Sequence, residues 1–200
     1  MYTITMMVLD IESLKEAKVT LTLIFINILC FFLFAFAFPQ EIMMLFVQIN
    51  ENVINEYEIW RLITPVFIHA DPMHLFSNMI ALLIFGATVE NNDYISKIQF
   101  LIIYLISGLI GNIFSLLLFP LDTISLGASG AIFGLIGVAF IMVATDFPPL
   151  LLFALFYIGF FIITSFTPDI NYWAHLFGLL GGILFGYLFY IRKRKIRIGY

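Results

Sequence analysis

The chain has 200 residues, 62% hydrophobic and 11% charged, with a formal net charge of −4 and a mean hydropathy of +1.08. So little polar surface cannot coat a water-soluble globule of this length. Apolar stretches of roughly 17 to 22 residues match helices crossing a ~30 Å hydrocarbon core, and exclude a barrel, whose strands need only about ten. The single cysteine, Cys30, excludes an intrachain disulfide and reads as a small packing residue. No feature supports nucleic-acid binding.

In chain order the apolar stretches predict six spans, at residues 19–38, 72–90, 98–119, 127–145, 148–165 and 172–191. The expected fold is an all-α membrane protein, a six-transmembrane-helix bundle. It divides into a short N-terminal segment 1–18, a six-span domain 19–191 and a basic tail 192–200. Ala35-Phe36-Ala37 imitates a signal-peptidase site, but the run before it is longer than a signal core, so it reads as a retained span. The turns carry breakers: Asn91-Asn92-Asp93, Pro120 with Asp122, Asp146 before Pro148-Pro149, and Pro168-Asp169. The first connection, 39–71, is long and acidic and is expected to carry structure of its own.

Six spans place both termini on one side. Lys15, Lys18, Lys97, Arg192, Lys193, Arg194, Lys195 and Arg197 then share that side and only Arg61 lies opposite, which predicts cytoplasmic termini. The expectation is an integral protein of a prokaryotic plasma membrane, with the 39–71 connection and the turns around Asp122 and Asp169 outside.

Ionisable residues within membrane helices are costly and are by default functional or paired. His74 and Asn78, four apart near the start of the second span, share a helical face. Ser129 follows Gly127-Ala128 at the start of the fourth span, and His175 opens the sixth. Ser129 precedes Asp146, and His175 precedes Arg192, by seventeen residues each. Both therefore sit about 26 Å above the inner boundary, just below the outer edge of the apolar core. Gly178, Gly182 and Gly186 lie on the histidine's own stripe, and Gly127, Gly130, Ala131, Gly134 and Gly137 make the fourth span rich in small residues. Such stripes permit close backbone approach.

A serine hydroxyl becomes a nucleophile when a neutral imidazole takes its proton. Ser129 and His175 are the candidate catalytic pair, with helix-start amide donors at Ser129 and side-chain donors at His74 and Asn78 for a developing oxyanion. Glu90 belongs to the inner end of its helix and no carboxylate lies at the serine's depth in the spans, so a dyad is expected rather than a triad. Gly127-Ala128-Ser129-Gly130-Ala131 lacks the final glycine of a nucleophile elbow. Ser107, Asn112 and Ser115 read as polar packing groups of the third span.

Across essentially its whole length the chain resembles the rhomboid family of intramembrane serine proteases. The residues that carry the resemblance are Trp60-Arg61, His74-x-x-x-Asn78, Gly86 with Glu90, Gly127-Ala128-Ser129-Gly130, and Ala174-His175-x-x-Gly178-x-x-x-Gly182. The resemblance implies a bundle whose shortened fourth helix lifts the serine to a cavity open outward. It implies cleavage of single-pass transmembrane proteins near the outer face, in contact with membrane lipid, without metal, cofactor or nucleic acid. By position it makes Ser129 the nucleophile and His175 the base, with His74, Asn78 and the Ser129 amide as the oxyanion hole and Trp60 and Arg61 as structural residues.

Phe133 stands where some members carry tyrosine; it keeps the aromatic face and loses a hydroxyl. The family's gate corresponds to about 148–172, where Phe153, Phe156 and Phe160 fit either core packing or lipid contact. The competing reading is a catalytically inactive relative that binds membrane clients, against which the presence of both Ser129 and His175 speaks. A small transporter or channel would need a polar track through the bundle, whereas the polar residues cluster near one face.

Overall fold

In a bilayer core the backbone has no water to bind, so each apolar segment closes its hydrogen bonds within itself as a helix. The computed structural model describes residues 11–167 and 170–198; the expected turn at Pro168-Asp169 lies outside them. Among the described residues six apolar helices follow one another: α1 (Lys18–Ala37), α2 (Pro72–Glu90), α3 (Lys97–Leu118), α4 (Ser129–Asp146), α5 (Pro148–Thr164) and α6 (Tyr172–Arg197). All but α5 are long and apolar enough to cross a membrane; α5 is a shorter apolar helix of the same bundle. Helix α4 starts two residues later than the sequence suggests, because Gly127 has a φ of +120° and cannot join a right-handed helix.

The centre of the bundle is α4, where every residue from Gly130 to Ala139 is buried. Helix α6 lies directly against it through glycines. A methyl group added to Gly178 would strike the Gly130 carbonyl oxygen, and one added to Gly182 the Gly134 carbonyl oxygen. Helix α3 completes this inner group, with Gly108 against Ala131 and Gly111 against the Ala174 carbonyl. Ser107 of α3 fills the space beside Gly134. Lipid tails are as apolar as leucine, so helix association depends on this close packing and on hydrogen bonds between helices.

Polar ties close both ends. At one end the buried Glu90 carboxylate accepts the Val19 and Thr20 amides at 2.9 and 2.7 Å and binds Lys97 Nζ at 2.8 Å, joining the starts of α1 and α3 to the end of α2. There also Asp146 pairs with Arg194 at 3.0 Å and accepts the Tyr190 hydroxyl.

The connection before α2 folds on the opposite end. It contains short helices at Gln40–Met44 and Asn50–Asn55, 3₁₀ turns at Ile59–Leu62 and Thr64–Phe67, and strand β1 (Gln48–Ile49). Strand β1 pairs antiparallel with β2 (Ile124–Ser125), Gln48 opposite Ser125, which fastens the connection to the turn before α4. Arg61, 2% exposed, pairs with Glu58 and donates to the Met44 and Val47 carbonyls. Trp60 Nε1 donates to the Leu45 carbonyl at 3.1 Å. Asn112 of α3 donates to the Leu62 carbonyl at 3.0 Å, and its own carbonyl accepts from Gln48.

Helix α5 is peripheral, with no fully buried residue between Leu151 and Thr164. Of the two readings open for Phe153, Phe156 and Phe160, core packing is overturned: they are 61%, 68% and 53% exposed. Ile158, Phe161 and Ile162 pack on the core in their place.

Gly182→Ala is therefore expected to destabilise the bundle by about 1–3 kcal/mol or more through overpacking. Gly159→Ala on α5, where nothing beyond the helix's own backbone lies within 4 Å of the new methyl, is expected to be neutral or to stabilise by about 0.4–1 kcal/mol. Thermal unfolding midpoints in detergent check both signs.

Candidate active site

The site assembles where α2, α4 and α6 begin. Asp71 caps α2: its Oδ1 accepts the Met73 and His74 amides, both at 2.9 Å, and Pro72 occupies the first helical position. Those amides, His74 foremost, hold the Asp71 carboxyl below the usual carboxylate range. His74 is thus fixed in the first turn, with Asn78 one turn further along. Asn78 Nδ2 donates to the His74 carbonyl at 3.1 Å and carries a second proton for another acceptor.

The chain reaches α4 through Gly127, which needs glycine for two reasons. Its φ is +120°, and a Cβ there would stand 2.7 Å from His74 Nε2 and 3.9 Å from Asn78 Nδ2. Both side-chain nitrogens therefore converge on the backbone just before Ser129. The Gly127 amide donates to the Pro65 carbonyl at 2.9 Å, and the Ala128 amide faces His69 Nε2 at 3.5 Å. Burial first, and the nearby His74 second, push His69 down to about 3, so it stays a neutral imidazole. Ser129 is the first residue of α4, and its amide belongs to the helix-start groups that have no intrahelical acceptor.

Asn171 caps α6, accepting the Ala174 amide at 2.9 Å and donating to Ser115 Oγ at 2.7 Å and Ser125 Oγ at 2.9 Å. The cap holds His175 in the first turn, where its Nε2 lies 2.7 Å from Ser129 Oγ. One face of the imidazole stacks on Phe133, ring centroids 4.3 Å apart and planes 14° from parallel. Nδ1 meets the Ser165 hydroxyl, not a carboxylate, at 2.7 Å. A cavity of 570 Å³ opens on this group, lined among others by Asp71, His74, Asn78, Ser129, Phe133, Ser165 and His175.

Of the residues singled out in the sequence, Ser129, His175, His74, Asn78 and Phe133 meet at this cavity. Gly130, Gly178 and Gly182 lie at the α4–α6 contact and Gly127 at the turn above it. Trp60 and Arg61 stand apart in the connection before α2, and Glu90 at the far end of α2. Sequence reasoning missed Asp71, His69, Ser165 and Asn171. Asp71-Pro72 carried a legible helix-start signature; Ser165 carried none. Among the described residues no three His, Cys, Asp or Glu side chains converge to hold a metal ion.

Long apolar helices around a polar cavity near one end define an integral membrane protein of the helical class. A family model described as the Rhomboid domain matches residues 56–192, and the chain belongs to the rhomboid family. It is 39% identical to the "Putative rhomboid protease YdcA" of Bacillus subtilis (strain 168) over 69% of this chain and 71% of that protein. It is 34% identical to RHOMBOID-like protein 1 of Arabidopsis thaliana over 71% of this chain and 37% of that one. With the rhomboid protease GluP of Bacillus subtilis (strain 168) the identity is 38% over 62% of this chain and 24% of GluP. The chain thus spans most of the first relative's length and less than half of the other two.

Asp71→Ala is expected to lower the thermal midpoint in detergent, whereas Asp71→Asn, which still accepts the amides, should retain most of it. Because the Asp71 carboxyl is lowered, its contribution is present at neutral pH and is lost as pH falls through the lowered value. The difference between wild type and Asp71→Ala should therefore shrink on acidification, as midpoints measured across a pH series will show.

Proposed function

We propose that the chain is an intramembrane serine endopeptidase that hydrolyses peptide bonds of single-pass membrane proteins near the outer face of the bilayer. The observation that carries this reading is the 2.7 Å approach of His175 Nε2 to Ser129 Oγ inside a cavity within the apolar bundle. Membership of a family whose relatives include named proteases supports it.

Ser129 Oγ attacks the scissile carbonyl carbon as its proton passes to His175 Nε2. The negative charge that develops on the carbonyl oxygen is received by the Ser129 amide, His74 Nε2 and Asn78 Nδ2. His175 then returns the proton to the leaving amine, and in the second half of the cycle it takes a proton from the attacking water and gives it to Ser129 Oγ as the acyl group departs. Phe133 supports the imidazole from one face.

The cationic residues favour cytoplasmic termini and a cavity open to the outer side of a prokaryotic plasma membrane. On this reading the partners are single-pass substrates and the surrounding lipid, and no cofactor takes part.

Wild type in liposomes is expected to cleave a model single-pass substrate and Ser129→Ala to leave it intact; equal cleavage by both would sink the proposal. Activity in neither would favour an inactive, client-binding relative. A fluorophosphonate should label Ser129, and His175→Ala should greatly reduce the labelling. Asn78→Ala should lower kcat by roughly 10²–10³-fold, the usual effect of losing one oxyanion donor. Steady-state cleavage rates provide the check.

A further inference from the structure

We propose that Ser165 is a positioning residue that holds His175 in the tautomer able to accept a proton from Ser129, an inference that rests on the reading of these two residues as nucleophile and base. Ser165 follows the last residue of α5 and is 3% exposed. Its Oγ lies 2.7 Å from His175 Nδ1 and also 2.7 Å from the Phe161 carbonyl oxygen.

Counting protons decides the direction of both bonds. A hydroxyl has one hydrogen to give. The Phe161 carbonyl can only accept; with two lone pairs it takes the Thr164 hydroxyl at 3.0 Å as well, and its 2.7 Å contact with Ser165 Oγ is a hydrogen bond only if Ser165 supplies the proton. The Ser165 proton therefore goes to Phe161, and the bond to the imidazole forms only if Nδ1 carries a hydrogen and donates it. Nε2 is then left with its lone pair directed at Ser129 Oγ, as a base requires.

The opposite tautomer would place a hydrogen on Nε2, facing the hydroxyl it must deprotonate, and would leave Ser165 serving two acceptors with one proton. The Nδ1–H to Ser165 bond also persists when Nε2 gains its proton, so the imidazolium keeps a partner throughout the cycle. Phe133, stacked on the ring face, offers no in-plane acceptor that could take over this role. Since α5 has no fully buried residue between Leu151 and Thr164, the bond also ties a peripheral helix to the base. A displacement of α5 would release Nδ1.

The test compares wild type, Ser165→Ala and Ser165→Thr, the last of which keeps the hydroxyl. In ¹⁵N-histidine-labelled protein in detergent, with the His175 signal assigned by loss in His175→Gln, wild type should show a protonated Nδ1 and an unprotonated Nε2. Ser165→Ala should give a mixture of tautomers and lose about tenfold or more in kcat, short of the roughly 10⁴-fold loss of a wholly wrong tautomer, with KM unchanged. Ser165→Thr should restore both. A wild-type spectrum with hydrogen on Nε2 would overturn the inference. So would a Ser165→Ala protein that keeps wild-type tautomer and rate, or losses that Ser165→Thr does not recover. The tautomer is also read on a Ser129→Ala background, where no catalysis occurs. A wild type that a fluorophosphonate fails to label would therefore defeat the nucleophile reading, while a tautomer shift seen there on Ser165→Ala would still support the role of Ser165.

Discussion

Close backbone contact between α4 and α6 is the constraint on which the rest of the molecule depends. Gly178 and Gly182 face the Gly130 and Gly134 carbonyls with no room for even a methyl group. Two rigid helices held that closely have little freedom to slide, so their ends are positioned together. At one end Ser129 meets His175, and at the other Asp146 meets Arg194 and Tyr190. The same contact that replaces a missing hydrophobic drive in lipid thus sets a hydrogen-bond distance at one end of the bundle.

Polar groups elsewhere follow from the cost of leaving a donor or acceptor unpaired where water is scarce. Glu90 serves three donors at the junction of α1, α2 and α3, and Arg61 gathers the connection before α2 around one guanidinium. The connection in turn sets the turn before α4 through the β1–β2 pair and the Pro65 carbonyl, which receives the Gly127 amide. Residues far from Ser129 thereby fix the backbone from which it projects. Helix α5 stands outside this arrangement and touches the centre through Ile158, Phe161 and Ile162, and through Ser165 just beyond its end.

The helices were legible because a length of apolar chain is the signal that a bilayer imposes. The start of α4 was misplaced by two residues because composition does not report the backbone angle of Gly127. The faces of α5 were not legible: a helix apolar all round has no polar stripe to mark its lipid side, and so Phe153 could not be told from Phe161. Asp71 was readable in principle from the residue that follows it. Ser165 was not, because a serine at the end of an apolar run is indistinguishable from one that merely closes a helix.

The sequence by itself determined the membrane class, the six apolar helices, the small-residue stripes and the shared depth of Ser129 and His175, since each depends on residue type and on spacing along a helix of fixed rise. Only the tertiary structure decided that His74 and Asn78 converge on Gly127, that Phe133 lies flat under the imidazole, and that Nδ1 meets a hydroxyl and not a carboxylate. Those contacts join residues on different helices, and their geometry depends on how each helix is rotated about its own axis. That rotation is set by packing against neighbours, which no single segment encodes.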